Sequence, residues 1–132
     1  MSEIEKLRMM IAEDENHIRM MLKSIAGELD AEVVAEASNG REAVDLFRLL
    51  KPQVTLMDIN MPVLSGLDAL EKIKETNPNA CVIMLTSVAD LESVRRAVKL
   101  GASNYILKGT PVDEMGQMIS ETWSEHQNAF EG

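Results

Sequence analysis

The sequence predicts a doubly wound α/β domain, in which five parallel strands alternate with five helices. Short apolar runs alternate with segments of helical period along the whole chain, and three of the runs are apolar almost throughout. Such runs are typical of parallel strands whose two faces are both covered by helices. The chain has 132 residues, of which 45% are apolar, and this is enough for one domain with a substantial core. We therefore interpret residues 1–132 as one domain with a core at about residues 6–125.

The five predicted strands are short and bounded by polar or turn residues. They span residues 7–12, 32–37, 53–57, 80–86 and 103–107. Right-handed crossovers join such strands through the intervening helices. We expect the flavodoxin-like strand order 2-1-3-4-5, in which strands 1 and 3 are central neighbours.

The predicted helices show apolar stripes and terminal signals. One stripe consists of Met21, Leu22, Ile25 and Leu29, a second of Leu91, Val94 and Val98, and a third of Met115, Ile119 and Trp123. Asp90 is expected to cap the fourth helix and Gly101 to end it. For the fifth helix we predict Thr110 as N-cap, Pro111 in the first turn and Asp113 as an acid near the cap.

The composition excludes several classes of function. The net charge of −9 and the pI near 4.7 argue against direct binding to nucleic acid, which requires an excess of Lys and Arg. The apolar runs are far shorter than the roughly 18 residues of a membrane span, and no leader segment is apparent. We therefore expect a cytoplasmic protein. The single cysteine, Cys81, begins an apolar run and is interpreted as a buried, inert thiol.

Polar residues follow four of the five predicted strands. Glu13 and Asp14 follow the first strand, Asp58 the third, Thr86 ends the fourth and Lys108 follows the fifth. In a doubly wound sheet the carboxyl ends of the strands meet at one edge, where ligands bind. The strand order 2-1-3-4-5 therefore predicts that these side chains form one site.

Three carboxylates gathered at one edge repel each other, so the site requires a positive charge. A hard divalent cation with oxygen ligands provides it, and Mg²⁺ also accepts phosphate oxygens as ligands. A carboxylate beside Mg²⁺ can act as a nucleophile toward a phosphoryl group and form an aspartyl phosphate. In this interpretation Asp58 is the nucleophile, Lys108 balances the phosphoryl charge and Thr86 donates a hydrogen bond to it.

Four separated motifs resemble one protein family. They are "ED" at residues 13–14, "DINMPVLSG" beginning at Asp58, "LTS" with Thr86, and "YILK" with Tyr105 and Lys108. In this order they resemble the receiver domains of bacterial two-component response regulators, over about residues 6–123. The resemblance implies a signalling domain that catalyses only its own phosphorylation and dephosphorylation and is otherwise not an enzyme.

The resemblance also assigns roles around the metal. Asp58 would accept a phosphoryl group from a sensor histidine kinase, a phosphotransfer protein or a small acyl phosphate. Asp14 and Asp58 would bind Mg²⁺ through their side chains and Asn60 through its backbone carbonyl, whereas Glu13 would act largely through water.

The remaining implied roles concern the change in conformation that follows phosphorylation. Lys108 and Thr86 would hold the phosphoryl oxygens, and Tyr105 would be the aromatic residue that changes orientation. The fourth helix, fifth strand and fifth helix would then control a downstream protein or a linked output domain. Exposed basic residues there could pair with acidic partner residues or could be only a solvated face; they are Arg95, Arg96 and Lys99.

Other interpretations of the same residues remain. Asp58 could cap the helix that is predicted to begin near Leu64, but a six-residue loop separates them. A haloacid-dehalogenase-type phosphatase would carry its nucleophile after the first strand and would need a cap domain. A flavodoxin-like cofactor binder would need a phosphate-binding loop, where this chain has acids. A receiver-like module that is never phosphorylated is the third alternative. Catalysis by His17 or His126 is not expected, since both lie on exposed helical segments.

One position departs from the pattern of the resembled family. Many receivers have a proline after the lysine, often with a cis bond, but here Gly109 follows Lys108 and the proline is Pro111. A cis bond before a residue other than proline costs about 2.5 to 4 kcal/mol. We therefore predict a trans Lys108–Gly109 bond, with Lys108 still reaching the acidic cluster.

Overall fold

The computed structural model describes residues 6–87 and 90–131, and for residues 130 and 131 it describes the backbone only. Five strands alternate with five helices, as the sequence predicts. The elements are β1 (Leu7–Ala12), α1 (Asn16–Glu28), β2 (Ala31–Ala37), α2 (Gly40–Leu50), β3 (Val54–Asp58), α3 (Gly66–Thr76), β4 (Cys81–Thr86), α4 (Leu91–Lys99), β5 (Asn104–Leu107) and α5 (Val112–Glu131).

The strands form one parallel sheet with the order β2-β1-β3-β4-β5, which confirms the predicted topology. In the pairing of β3 with β4, Asp58 lies opposite Leu85, and in the pairing of β4 with β5, Thr86 lies opposite Leu107. Since Asp58 is the last residue of β3, one residue beyond the predicted strand, its backbone is fixed by the sheet.

Two apolar clusters cover the two faces of the sheet. Met10, Met57 and Met84 belong to the cluster that packs on α2 and α3, while Ile11 and Leu56 belong to the cluster that packs on α1 and α5. Both faces of the central strands are thus buried, which explains why β3 and β4 are apolar almost throughout. Cys81 is 2% exposed, and burial raises the pKa of its thiol, in agreement with an inert cysteine.

Helix α4 differs from the others in what it buries. Its only fully buried residue is Ala97, whereas Leu91 and Val98 of the apolar stripe are 63% and 68% exposed. The apolar stripe is therefore only partly covered: Val94 is half-buried, and the small Ala97 makes the buried contact with the apolar cluster that packs on α2 and α3. The predicted ends of α4 are confirmed: Asp90 accepts a hydrogen bond from the Glu92 amide.

The C-terminal end of α4 has the paired hydrogen bonds of a Schellman motif. The amide of Gly101 donates to the carbonyl of Val98 at 3.0 Å, and the amide of Ala102 donates to that of Ala97 at 2.9 Å. Gly101 has a φ of 92°, which is accessible to glycine without a steric penalty. The sequence-based prediction that Gly101 ends this helix is confirmed.

Two helices begin slightly later than the sequence indicates. Helix α5 begins at Val112, and the Pro111 carbonyl accepts the first helical hydrogen bond from Met115, so Pro111 rather than Thr110 holds the N-cap position. The Thr110 amide instead donates to the Leu107 carbonyl, which keeps this residue in the turn after β5. Helix α3 begins at residue 66 instead of near residue 64. None of the described helices is both long and apolar enough to cross a membrane.

Candidate functional site

The predicted site residues lie at the carboxyl edge of the sheet. Carboxylate oxygens of Glu13, Asp14 and Asp58 all lie within 4.8 Å of one another. Glu13 is fully buried and Asp58 is 3% exposed, whereas Asp14 is exposed. The site is therefore a carboxylate cluster with two buried members and one member open to solvent.

Lys108 provides the positive charge of this cluster. Its Nζ lies 2.8 Å from Glu13 Oε1, 3.1 Å from Asp58 Oδ2 and 3.8 Å from Glu15 Oε1, and its side chain is only 9% exposed. The Lys108–Gly109 bond is trans, since the described residues contain no cis peptide bond. The predicted bond geometry and the predicted reach of Lys108 are thus both confirmed.

Burial and neighbouring charges shift the pKa values of Asp58 and Lys108. Burial and the nearby Glu13 carboxylate raise the pKa of Asp58 to about 6, and Lys108 only partly opposes this effect. Burial acts to lower the pKa of Lys108, but contacts with Glu13 and Asp58 outweigh it and raise that pKa. Lys108 is therefore a stable cation, whereas the ionised form of Asp58 is costly without a further positive charge.

The loop between β1 and α1 holds Glu13 in place. The amide of Glu13 donates to the Ala37 carbonyl at 2.9 Å, and Oε2 of Glu13 accepts a hydrogen bond from the Glu15 amide at 3.1 Å. Arg19 donates to the carbonyl of Glu13 at 2.8 Å and pairs with Glu36 on β2 at 3.4 Å. Sequence reasoning did not identify Arg19, because an arginine in a polar helical turn carries no signal of its own.

The loop between β3 and α3 holds Asp58. The Asn60 amide donates to Asp58 Oδ1 at 3.2 Å, and the Gly66 amide donates to the Ile59 carbonyl at 2.8 Å. A Cβ atom on Gly66 would lie 1.9 Å from the carbonyl oxygen of Asp58. Only glycine allows this close approach, so the "G" of "DINMPVLSG" is a steric requirement of the site.

The same loop contains a strained residue at its tip. Val63 has a φ of 69°, and the Leu64 amide donates to the Pro62 carbonyl at 2.7 Å, which closes a γ-turn around Val63. This left-handed conformation is unfavourable for a β-branched residue. The Leu64 carbonyl in turn accepts a hydrogen bond from the Gly40 amide at 3.0 Å, so the neighbouring helix α2 holds the strained turn in place.

The donor set fits a hard divalent cation. All three carboxylates of the cluster offer oxygen, which is the ligand type that Mg²⁺ prefers. Oε1 of Glu13 is fully buried and accepts no well-aligned hydrogen bond from the described part of the chain, although Lys108 Nζ is close. An excess of buried carboxylate charge over the single lysine is consistent with an additional cation at this edge.

Thr86 lies on β4, the strand next to Asp58, and Tyr105 lies on β5, the edge strand beyond β4. Thr86 is buried at the end of β4, and its carbonyl accepts a hydrogen bond from the Lys108 amide at 2.8 Å. Tyr105 is half-buried on β5 and lines a cleft of about 170 Å³ with Ala97, Val98 and other residues of the α4 to β5 connection. Both residues thus lie where the sequence predicts, and the backbone of Lys108 is hydrogen-bonded to the end of β4.

Two charged contacts were not predicted. Glu15 joins the contacts of Lys108, although its only signal in the sequence was its place after the acid pair. Arg96, for which pairing with an acidic partner and a solvated face were both expected alternatives, instead donates to Asp68 on α3 at 2.6 Å. Arg96 holds the pKa of Asp68 below its usual range. The histidines lie outside the cluster: His17 is exposed near Glu15, and His126 stacks on Trp123 with ring centroids 5.9 Å apart.

The strand order 2-1-3-4-5, with an acidic cluster and a buried lysine at its carboxyl edge, defines a class of signalling domains. The model of the response regulator receiver domain family matches residues 9–120. The chain belongs to this family and is a CheY-like receiver domain of the two-component type.

Known relatives agree with this assignment. The chain is 42% identical over 101 residues to the chemotaxis protein CheY of Thermotoga maritima, which covers 76% of this chain and 84% of that protein. It is 39% identical over 115 residues to CheY of Listeria monocytogenes, which covers 87% and 97% of the two chains. The crystal structure of the response regulator domain of Thermotoga maritima CheB superposes with a TM-score of 0.83 at 31% identity, over 94% of this chain and 98% of that one.

Proposed function

We propose that this receiver domain is switched by phosphorylation of Asp58 from a histidine kinase or a phosphotransfer protein. The observation that carries the proposal is the contact of Lys108 Nζ with Asp58 Oδ2 at 3.1 Å, inside a cluster of carboxylates at the carboxyl edge of the sheet. A nucleophilic carboxylate, a fixed cation and a metal-ligand cluster are the three components that such a transfer requires.

In the proposed transfer, a carboxylate oxygen of Asp58 attacks the phosphorus of a phosphohistidine. A new O–P bond forms, the P–N bond breaks, and its electron pair remains on the imidazole nitrogen. Lys108 then balances charge on the phosphoryl oxygens, and the hydroxyl of Thr86 donates a hydrogen bond to one of them. Their positions at the ends of β5 and β4 support these roles.

Glu13, Asp14 and Asp58 would hold Mg²⁺ through oxygen ligands, together with the backbone carbonyl of Asn60. When bound, Mg²⁺ neutralises negative charge on the transferred phosphoryl group. Two observations support this ligand set: the carboxylate oxygens lie within 4.8 Å of one another, and the Asn60 amide is hydrogen-bonded to Asp58. Asp14 is exposed and therefore accessible to an ion from solvent.

Phosphorylation would act on the surface of α4, β5 and α5. The phosphoryl group would favour the conformation in which Thr86 and Lys108 contact it, which shifts the population of the whole domain. The cleft beside Tyr105 provides space for a change in the orientation of its ring. Four apolar residues on this surface are between 40% and 68% exposed and would contact a downstream protein or a linked output domain. They are Leu91, Val98, Leu107 and Val112.

The first test is chemical labelling of the phosphoacceptor. Incubation of the chain with acetyl phosphate and Mg²⁺ should add one phosphate, which hydroxylamine removes because it is an acyl phosphate. Asp58→Asn should abolish the labelling, whereas Asp113→Asn, an exposed acid on α5, should retain it. Undiminished labelling of Asp58→Asn would contradict the assignment, and an unlabelled parent protein would favour a receiver that is never phosphorylated.

The second test concerns the metal. Calorimetric titration of the parent protein with Mg²⁺ should show binding that Asp14→Ala weakens by about tenfold or more, because a charged oxygen ligand is lost. Asp113→Ala serves as the control for a change in net charge. Equal Mg²⁺ affinity of Asp14→Ala and the parent protein would exclude the proposed ligand set.

A further inference from the structure

Glu15 is a fourth carboxylate at this site and lies outside the metal-ligand cluster. Its Oε1 is 3.8 Å from Lys108 Nζ, and its side chain is 50% exposed. Glu13 and Asp58, the other acids in contact with Lys108, have side chains that are 0% and 4% exposed. Glu15 therefore lies on the solvent side of the lysine, where a phosphodonor must approach.

The side chain of Glu15 has little role in holding the fold. Glu15 precedes α1 at the N-cap position, but its side chain accepts no hydrogen bond from the helix. The contact that fixes this turn is the bond from the Glu15 amide to Glu13 Oε2, which any residue except proline can make. Its remaining contact, with His17 at 3.6 Å, is on the exposed surface. The charge of Glu15 can therefore be removed without loss of a structural bond.

We propose that Glu15 is a specificity-determining residue that disfavours phosphodonors of high negative charge. This inference rests on the proposed phosphorylation of Asp58. Glu15 acts in two ways: it repels the phosphate group of the incoming donor, and it attracts Lys108, which the phosphoryl oxygens must bind. Both effects grow with the charge of the donor, so a donor with less negative charge is disfavoured less.

A comparison of acetyl phosphate with phosphoramidate separates the effect of the Glu15 charge from the transfer chemistry. In both reactions an Asp58 oxygen forms a bond to phosphorus. With acetyl phosphate the bond from phosphorus to the acyl oxygen breaks and acetate leaves with the electron pair. With phosphoramidate the P–N bond breaks and ammonia leaves from the protonated nitrogen. Near neutral pH acetyl phosphate is mainly a dianion and phosphoramidate mainly a monoanion, so the charge of Glu15 should slow the first reaction more than the second.

The test compares Glu15→Gln with the parent protein at low ionic strength, with Mg²⁺ present. The rate of Asp58 phosphorylation by acetyl phosphate should rise by about three- to tenfold, which corresponds to the repulsion between partly exposed charges at short range. The rise with phosphoramidate should be smaller. Both gains should decrease when salt is added, because the Debye length falls from about 10 Å at 0.1 M to about 3 Å at 1 M.

A control variant and a second substitution complete the design. Glu28→Gln removes the same charge from the exposed end of α1 and should leave both rates unchanged. Glu15→Ala should shift the rates in the same direction as Glu15→Gln, which excludes an effect of the new amide, and circular dichroism should show that both variants are folded. Rates that match the parent, or a rise that is equal for both donors and insensitive to salt, would overturn the inference. Failure of the underlying function would instead appear as a parent protein that neither donor labels.

Discussion

Replacement of Asp58 by asparagine should stabilise the folded domain at neutral pH in the absence of divalent cations. Burial and the Glu13 carboxylate raise the pKa of Asp58 from 3.8 to about 6. The folded protein therefore ionises this group less readily than the unfolded chain does. At 1.36 kcal/mol for each pH unit, the ionised carboxylate costs about 3 kcal/mol of stability above pH 6.

The asparagine removes this cost but also removes a partner of Lys108. The lysine keeps Glu13 at 2.8 Å, and the new side-chain oxygen can still accept the hydrogen bond from the Asn60 amide. We therefore expect a net gain of about 1 to 3 kcal/mol in the free energy of unfolding at pH 7.5.

The pH dependence of the gain follows from the same pKa values. Above pH 6 Asp58 is ionised in both the folded and the unfolded parent protein, so the full cost applies. Between pH 6 and pH 3.8 the folded protein carries the proton, and the gain from Asp58→Asn decreases as the pH falls. Below pH 3.8 the carboxyl is protonated in both states, so the gain disappears.

Urea denaturation of the two proteins at pH 7.5 and at pH 4.5 measures this gain, with Glu125→Gln, an exposed acid away from the first turn of α5, as the control for net charge. Saturating Mg²⁺ should stabilise the parent protein and reduce the difference, because an ion that binds only the folded state favours folding. An Asp58→Asn protein that is no more stable than the parent at pH 7.5, or a gain that increases toward low pH, would refute the electrostatic reasoning.

Two further predictions concern the loop that holds Asp58. Val63→Gly should raise the free energy of unfolding by about 1 kcal/mol, since relief of the left-handed valine exceeds the added chain entropy. Val98→Gly at an exposed helical position should instead lower it, and a destabilised Val63→Gly protein would show that the turn is not strained. Gly66→Ala should destabilise the domain by several kcal/mol, because its Cβ would lie 1.9 Å from the Asp58 carbonyl oxygen. In the control Gly109→Ala, no atom lies within 4 Å of the added Cβ. This variant should therefore unfold at nearly the same urea midpoint as the parent protein.

The sequence alone was sufficient for the topology and for most of the site. The strands at the centre of the sheet are apolar on both faces because helices cover both faces, and this pattern is visible without a structure. Parallel strands in a doubly wound sheet all end at one edge, and the expected order 2-1-3-4-5 places the ends of strands 1, 3, 4 and 5 side by side. The cluster of Glu13, Asp14, Asp58 and Lys108 could therefore be predicted from the strand ends together with this strand order.

Helix α4 shows where sequence periodicity is insufficient. Its apolar residues repeat with helical spacing, yet Leu91 and Val98 are exposed and Ala97 is buried. Periodicity identifies which residues share a face, but the neighbouring elements decide whether that face is covered. The bond between Arg96 and Asp68 likewise joins residues 28 positions apart, and only the packing of α4 beside α3 brings them together.

The strand ends and the apolar runs were therefore determined by the sequence itself, because they depend on local pattern and on the geometry common to parallel sheets. The tertiary structure decided how the charges are shared: it placed Glu15 beside Lys108 and brought Lys108 Nζ to 2.8 Å from Glu13 Oε1. It also holds Val63 in a left-handed conformation, in a turn whose Leu64 carbonyl accepts a hydrogen bond from Gly40 of α2. These features depend on distances of a few ångströms between segments distant in sequence, and such distances are fixed only when the whole sheet and its helices pack together.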